Sequence, residues 1–282
     1  MNLWLTEHQT KNLSMSVRVK ETLYTGRSEF QEVVIADTVQ FGRMLALDGV
    51  FQTSVVEEFI YHDMIVHVPM FTHPDPKRVL IIGGGDGGSA REVMRHSSIE
   101  EVKMVEIDGM VVEACKKHLP ENSVVLREPE KYPKFELIIG DGIKYMQQAD
   151  SYYDVIIVDC SDPIGPGEGL FNLAFFQDVF KALKPDGLFV QQTDSPFYHQ
   201  ELLKRLHNDL ATLFPIIHLY LAHIPIYPGG MHSFTMGSKK YCPLNASLDR
   251  IPNDSDYRYY NKDIHKSAFA LPNFVKSFLK GK

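Results

Sequence analysis

The sequence predicts an α/β fold: a Rossmann-like, doubly wound sheet preceded by a small all-β domain. Three observations carry this. The continuous apolar run Val79-Leu80-Ile81-Ile82 leads directly into Gly83-Gly84-Gly85-Asp86-Gly87-Gly88, a strand, glycine turn and helix start in sequence. From Arg78 onward, strand-like runs alternate with helical periodicity, the grammar of a sheet covered on both faces. The stretch before it instead reads as short strands and turns. The expected domains are therefore 1–56 and 57–282.

Met15 to Lys20 alternates with period two, Glu32 to Ala36 is rich in β-formers, and Asp48-Gly49 is a hairpin turn signal. Glu57 to Val68 places Phe59, Ile60, Met64, Ile65 and Val68 at helical spacing, and Pro69 is expected to stop it. His73-Pro74-Asp75-Pro76 punctuates the chain before the second grammar begins. Strands are then expected at Val79–Ile82, Val102–Ile107, Glu136–Ile139, Asp154–Val158 and Leu188–Gln192. Between them Ser89–His96, Val111–His118 and Phe175–Leu183 suit helices, the last stopped by Pro185-Asp186-Gly187. After a helix at Glu201–Leu213, Ile216–Ala222 and Ser233–Gly237 look like a closing pair.

The chain has 282 residues, of which 44% are hydrophobic and 23% charged, which excludes a disordered or fibrous class. No apolar run approaches the ~18 residues of a membrane span, and Met1 to Glu7 has no basic start with an apolar core, so no secretory signal is expected. Three cysteines (Cys115, Cys160, Cys242) are widely spaced and outside any CxxC pattern, which fits a reducing cytoplasm. The net charge is -7 without a basic cluster, so a nucleic-acid partner is not expected, and a cationic small molecule suits the balance better.

Gly83, Gly85 and Gly88 match G-x-G-x-x-G, in which glycine lets the backbone approach a nucleotide. Asp86 within the loop would repel a pyrophosphate and favours a cationic or neutral group there. Glu106 ends the next strand, where a carboxylate can accept both ribose hydroxyls; Asp108 reads as a solvated strand-end carboxylate. Asp141-Gly142 follows the third strand and could read an adenine edge, or be a plain turn. The most informative stretch is Asp159-Cys160-Ser161-Asp162-Pro163-Ile164-Gly165-Pro166-Gly167, two aspartates followed by a glycine- and proline-rich segment that suggests a lid over Asp162 to Asn172. With Asp86 these aspartates would make three negative charges around one pocket, a costly arrangement unless a cation or a proton compensates. A metal is one answer, yet no histidine stands at ligand spacing from them; an amine substrate is the other. Cys160 reads as a buried filler, because no basic partner activates it. His8, His73, His96, His207 and His265 read as surface residues, whereas His62 could face the pocket.

Together these residues resemble the spermidine synthase (polyamine aminopropyltransferase) family over nearly the whole chain. The similar stretches include Trp4-Leu5-Thr6-Glu7, Glu29-Phe30-Gln31-Glu32, Leu47-Asp48-Gly49-Val50, Glu58 to Met64, the glycine motif, Asp159 to Pro166, Ile224 to Gly230 and Tyr259-Tyr260-Asn261. The resemblance implies transfer of an aminopropyl group from decarboxylated S-adenosylmethionine, a co-substrate, to putrescine, with no cofactor and no metal. It implies that Gln31, Gly83, Gly85 and Glu106 hold the nucleoside, that Asp141 and Gly142 read adenine, and that Pro166 lies against it. It further implies an amine site of Tyr61, His62, Asp86, Asp159, Asp162, Gln192 and Tyr227, with Asp159 as proton acceptor, and a homodimer or homotetramer built on the N-terminal strands. His62 and Cys160 stand where some relatives have Gln and Ser, which bears on acceptor preference; agmatine, cadaverine and spermidine are the other acceptors to consider. A methyltransferase shares the adenosine site and is the nearest rival. A dehydrogenase is disfavoured by Asp86 and by the absence of a tyrosine followed four residues later by lysine. A nucleoside-binding scaffold leaves the crowding of Asp159 and Asp162 unexplained.

Overall fold

A computed structural model describes residues 3–163, 165–252 and 257–280, with the backbone but not the side chain of Pro166. Five strands, β1 (Leu3–Thr10), β2 (Leu13–Arg27), β3 (Glu32–Thr38), β4 (Gly42–Leu47) and β5 (Val50–Ser54), form an antiparallel sheet in chain order. The Asp48-Gly49 signal is a two-residue hairpin between Leu47 and Val50, both turn residues at positive φ (47° and 81°), as the twist of paired strands requires. β1 is an edge strand and exposes Leu3 and Trp4.

Helix α1 (Glu58–Thr72) leads into a seven-stranded sheet and is buried throughout from Tyr61 to Thr72. It runs through Pro69 instead of stopping before it. The proline lies in the last turn, the His73 amide still reaches the Pro69 carbonyl at 3.0 Å, and burial on all sides outweighs one lost hydrogen bond.

The larger sheet contains β6 (Arg78–Gly83), β7 (Glu101–Glu106), β8 (Phe135–Ile139), β9 (Tyr153–Asp159), β10 (Leu183–Gln192), β11 (Ile216–His223) and β12 (Met231–Ser238), in the order β11-β12-β10-β9-β6-β7-β8. β6 to β10 are parallel, and β11 and β12 close one edge antiparallel. The helices are α2 (Gly88–Val93), α3 (Gly109–His118), α4 (Val124–Arg127), α5 (Gly142–Gln148), α6 (Leu173–Ala182), α7 (Gln200–Ala211), α8 (Lys262–Ala268) and α9 (Asn273–Leu279). The apolar runs are divided between the two faces: Val79, Ile81, Val155 and Ile157 enter one core, and Leu80, Ile82, Ile156 and Val158 the other. β10 begins at Leu183, earlier than the sequence suggests, and absorbs Pro185-Asp186-Gly187 as an irregularity in its pairing with β9.

Two of the histidines expected at the surface are buried. His73 accepts the Asp75 amide at 3.2 Å through Nδ1 and leaves Nε2 unpartnered among the described residues, whereas His265 is held between Tyr260 Oη (2.6 Å) and the Pro243 carbonyl (3.0 Å), where local partners replace water.

The chain reverses direction across the sheet at β6, whose neighbours are β7 on one side and β9 on the other. That switch point opens a crevice at the carboxyl edge, the place where open α/β sheets bind ligands. Gly83 and Asp159 are paired across it.

Candidate active site

A cavity of about 140 Å³ fills this crevice, roofed by Gln31, Leu45, Leu47, Gln52 and Thr53 of the N-terminal sheet. Its floor is the glycine loop. Gly83 has φ 82°, and a Cβ there would lie 2.1 Å from the Asp159 carbonyl oxygen, so no other residue fits. A Cβ on Gly85 would lie 3.0 Å from Glu106 Oε2, which leaves that carboxylate open to the cavity.

Glu106, at the end of β7, is buried and accepts the Asp108 amide through Oε1 at 2.9 Å. Burial pushes its pKa up to about 7; the Asp108 and Gly85 amides oppose this, and the charges of Asp108 and Asp159 add to it. Gln31 enters from the other sheet and donates through Nε2 to Asp108 Oδ2 at 3.0 Å. Asp108 is not the solvated carboxylate expected. It is buried, caps α3 through the Met110 amide (3.0 Å), and also receives Ser28 Oγ at 2.7 Å. Asp141 caps α5 by accepting the Ile143 and Lys144 amides at 2.9 and 3.3 Å, which sets Gly142 in the cavity wall.

At the other end of the cavity, Asp159 Oδ1 accepts Tyr61 Oη at 2.8 Å, and Oδ2 accepts Ser89 Oγ at 2.7 Å. Burial raises the Asp159 pKa; the charge of His62 opposes this and that of Asp86 adds to it. Asp86 accepts Asn122 Nδ2 at 2.7 Å and the Gly88 amide at 3.3 Å, and His62 Nε2 stands 3.5 Å away. Burial would raise Asp86 too, but the charge and contact of His62 hold it below the ordinary carboxylate value. The absence of a histidine near these carboxylates in the linear sequence is therefore overturned by the fold, because α1 carries His62 to the glycine loop. His62, Asp86 and Asp159 each offer an atom within 4.8 Å of the others. Both His62 nitrogens are already engaged, by Glu58 and Asp86, so the imidazole itself compensates this corner.

A second cavity, about 40 Å³, adjoins the first and shares Gln52, Tyr61, Cys160, Ser161 and Tyr227 with it. Asp162 and Gln192 line it, and so do Glu7 and Asp194, which the sequence reading did not single out. Gln192 Nε2 donates to the Cys160 carbonyl and its Oε1 accepts the Asp194 amide, both at 3.0 Å; Tyr227 Oη donates to the Gln52 carbonyl at 2.9 Å. Burial, with Asp194 next, pushes Asp162 up to about 7, and burial also lifts Glu7 to about 7. Asp194 goes down despite burial, because His199 Nδ1 meets it at 2.8 Å. Asp194 was legible as a carboxylate just past a strand end, the signal used for Asp159. Glu7 lies on β1 of the other sheet and had no local signal, and the supporting donors Ser89 and Asn122 had none either. Cys160 is not the buried filler expected: it is half-buried and lines both cavities, although burial pushes its thiol pKa up.

The segment expected to be a lid forms a 3-10 helix from Gly165 to Leu170. It places Gly167 in the cavity wall and ends on buried Leu170 and Phe171. The expected contact of Pro166, and Ile164, lie outside the described residues.

Residues 58–247 match the model of the spermine/spermidine synthase domain, and residues 3–54 that of the spermidine synthase tetramerisation domain. The chain belongs to the spermine/spermidine synthase family. It is 50% identical to a polyamine aminopropyltransferase of Caldicellulosiruptor bescii, over 99% of each chain, and 51% identical to one of Thermoanaerobacter pseudethanolicus, over 98% of each. A crystal structure of a spermidine synthase in complex with the transition state analogue AdoDATO superposes with a TM-score of 0.95 at 39% identity, covering 99% of this chain and 96% of that one. The Thermotoga maritima spermidine synthase gives 0.94 at 38% identity, covering 100% and 96%. Both solved structures thus share the fold of this chain over nearly its whole length.

Proposed function

We propose that this chain transfers the aminopropyl group of decarboxylated S-adenosylmethionine to putrescine, giving spermidine and S-methyl-5'-thioadenosine. The observation that carries the reading is the position of Asp86 and Asp159, side by side in the wall of the larger cavity, with Asp159 bonded to Tyr61, which also lines the smaller cavity and its further carboxylates. The donor nucleoside occupies the larger cavity, with Glu106 and Gln31 on the ribose side and Asp141, Gly142 and Pro166 around the adenine. Gly83 and Gly85 let it close on the loop. Asp86 and Asp159 take the donor's ammonium and the attacking amine, and Tyr61, His62, Asp162, Gln192 and Tyr227 border the acceptor.

A primary ammonium has a pKa of about 10.4, so roughly one molecule in a thousand is a nucleophile at neutral pH. Asp159 lines the larger cavity beside Tyr61 and Cys160, which line both. With its pKa raised chiefly by burial, it is placed to accept the amine's proton. The nitrogen lone pair forms the new C–N bond as the C–S bond breaks, and its electron pair neutralises the sulfonium. The leaving group arrives already activated, so the step calls on no cofactor or metal. What remains for the protein is alignment of nitrogen, carbon and sulfur and the exclusion of water.

A methyltransferase would need intact S-adenosylmethionine, whose carboxylate would face Asp86 and Asp159. Incubation with decarboxylated or intact S-adenosylmethionine and a panel of diamines, with products identified by mass, tests the reading: spermidine from the decarboxylated donor supports it, and methylated amine from the intact donor sinks it.

We also read residues 1–56 as an oligomerisation unit and 57–282 as the catalytic unit of a cytoplasmic homodimer or homotetramer. The exposed β1 edge with Leu3 and Trp4 supports this, as do three free thiols; among the described residues no helix is long and apolar enough to cross a membrane. Light scattering at micromolar concentration should give an oligomer, and a monomer would refute it.

A further inference from the structure

His62 is buried, and each of its nitrogens faces a carboxylate. Nδ1 meets Glu58 Oε2 at 2.5 Å, one turn earlier on α1, and Nε2 stands 3.5 Å from Asp86 Oδ2. Deprotonated carboxylates only accept, and a neutral imidazole has one N–H to give; only the doubly protonated ring satisfies both neighbours. The ring cannot turn away, because a Cβ on Gly88 would lie 2.2 Å from His62 Cε1, so the glycine loop lies flush against it. Glu58 Oε2 is in turn fixed by Arg91 Nη2 at 2.8 Å, from α2.

We propose that Glu58 and Arg91 are positioning residues for the transfer reaction: they hold His62 as a resident imidazolium that keeps Asp86 an anion, so that Asp159 is the carboxylate of the pair that takes the proton. This rests on the aminopropyl-transfer reading. The four groups Glu58, His62, Asp86 and Arg91 carry two charges of each sign, and Glu92 also meets Arg91 at 2.8 Å. Asp159 stands outside that set with only the neutral hydroxyls of Tyr61 and Ser89 as donors. Two adjacent carboxylates would otherwise share their protons and divide the role between them. The groups facing His62 are Glu57 just before α1, Glu58 of α1, Asp86 of the loop and Asp159 of β9, with Arg91 behind Glu58. Burial works against the charged ring, and Asp86 and Glu58 outweigh it. His62 therefore does not contact the amine through a nitrogen; it sets the charge of the group that does.

The test labels histidine with 13C and 15N and follows the ring signals from about pH 5.5 to about 9, with His62 assigned by its loss in His62→Gln. In the wild type His62 should keep imidazolium shifts past pH 8, and in Glu58→Gln it should titrate at least about one unit lower. The acid limb of kcat/KM for the diamine should move up by about one pH unit in Glu58→Gln, because the carboxylates lose a neighbouring cation. In a His62→Gln background the same change should cost less than about twofold, since Glu58 acts through His62. Glu58→Ala, with the same signs, is a second variant that covers failure of Glu58→Gln to fold. Arg91→Gln, which frees Glu58 without removing its charge, should likewise cost less than about twofold in the His62→Gln background. A wild-type His62 that is neutral near pH 7, one that stays charged in both Glu58 variants, or costs that multiply in either double variant overturn the proposal. The ring signals are read without substrate. A charged His62 with no aminopropyl transfer would thus count against the functional reading alone, and normal transfer with a neutral His62 against this inference alone.

Discussion

The two ends of the crevice are built by different means. The end proposed for the nucleoside is made of local devices, a glycine turn, a carboxylate closing a strand and an Asp capping a short helix, each spelled within a few residues of β6, β7 or β8. The end proposed for the amine is assembled from six distant stretches: Glu7, Tyr61-His62, Asp86, Asp159 to Asp162, Gln192 to Asp194, and Tyr227. Their electrostatics differ as well. Around the second cavity Glu7 and Asp162 are both lifted to about 7 by burial, whereas Asp86 and Asp194 are each compensated by a histidine. The proposed amine end is thus left short of positive charge, which a diammonium would supply under the proposed function, while the other end is organised by backbone shape.

The largest effect that separates the two ends is expected from Asp159→Asn. Turnover should fall at least ~10²-fold, the lower range for a general base, while methylthioadenosine affinity is largely kept. Near-normal turnover at neutral pH would assign the proton to another group.

Glu106→Gln should act on the opposite end. Charge-assisted hydrogen bonds contribute about 1.5–3 kcal/mol each, so donor and methylthioadenosine should bind roughly tenfold or more weakly. Calorimetry would then find the diamine little affected; equal weakening of both ligands would erase the division between the two ends.

A smaller effect should appear in the pH dependence of acceptor binding. A diammonium needs ionised partners, and Asp162 and Glu7 hold protons up to about pH 7. Diamine affinity in the presence of methylthioadenosine should rise several-fold from about pH 6 to 8 as these protons leave, and Asp162→Asn should flatten the rise. An unchanged slope in that variant would remove Asp162 from the acceptor end.

The smallest effect expected is on stability. The folded Asp162 pKa of about 7 lies above the ordinary value of about 3.9, so the folded state binds this proton more tightly than the unfolded one. Raising pH between those values therefore costs the free protein stability, and the loss is complete above pH 7. Asp162→Asn should melt above the wild type at pH 8, by a margin that shrinks toward pH 5. A margin independent of pH would mean that Asp162 is not the burdened group.

Gly83, Asp86, Glu106, Asp141 and Asp159 were legible because each stands at a strand's carboxyl end, and the alternation of apolar runs announces those ends. The same rule reaches Asp194 once β10 is recognised. The linear order also determined the class of fold and the two-residue turn at Asp48-Gly49, since backbone periodicity and the conformations open to glycine are local properties. Tertiary structure decided which charges meet. That α1 runs through Pro69, that Asp108 is a buried cap joining two sheets, that His62 lies between Glu58 and Asp86, and that Glu7 of β1 borders the same cavity as Asp162 all depend on segments distant in sequence. A charge has no periodicity to read. Its state depends on burial and on the groups within a few ångströms, which only the packing of one element on another brings together.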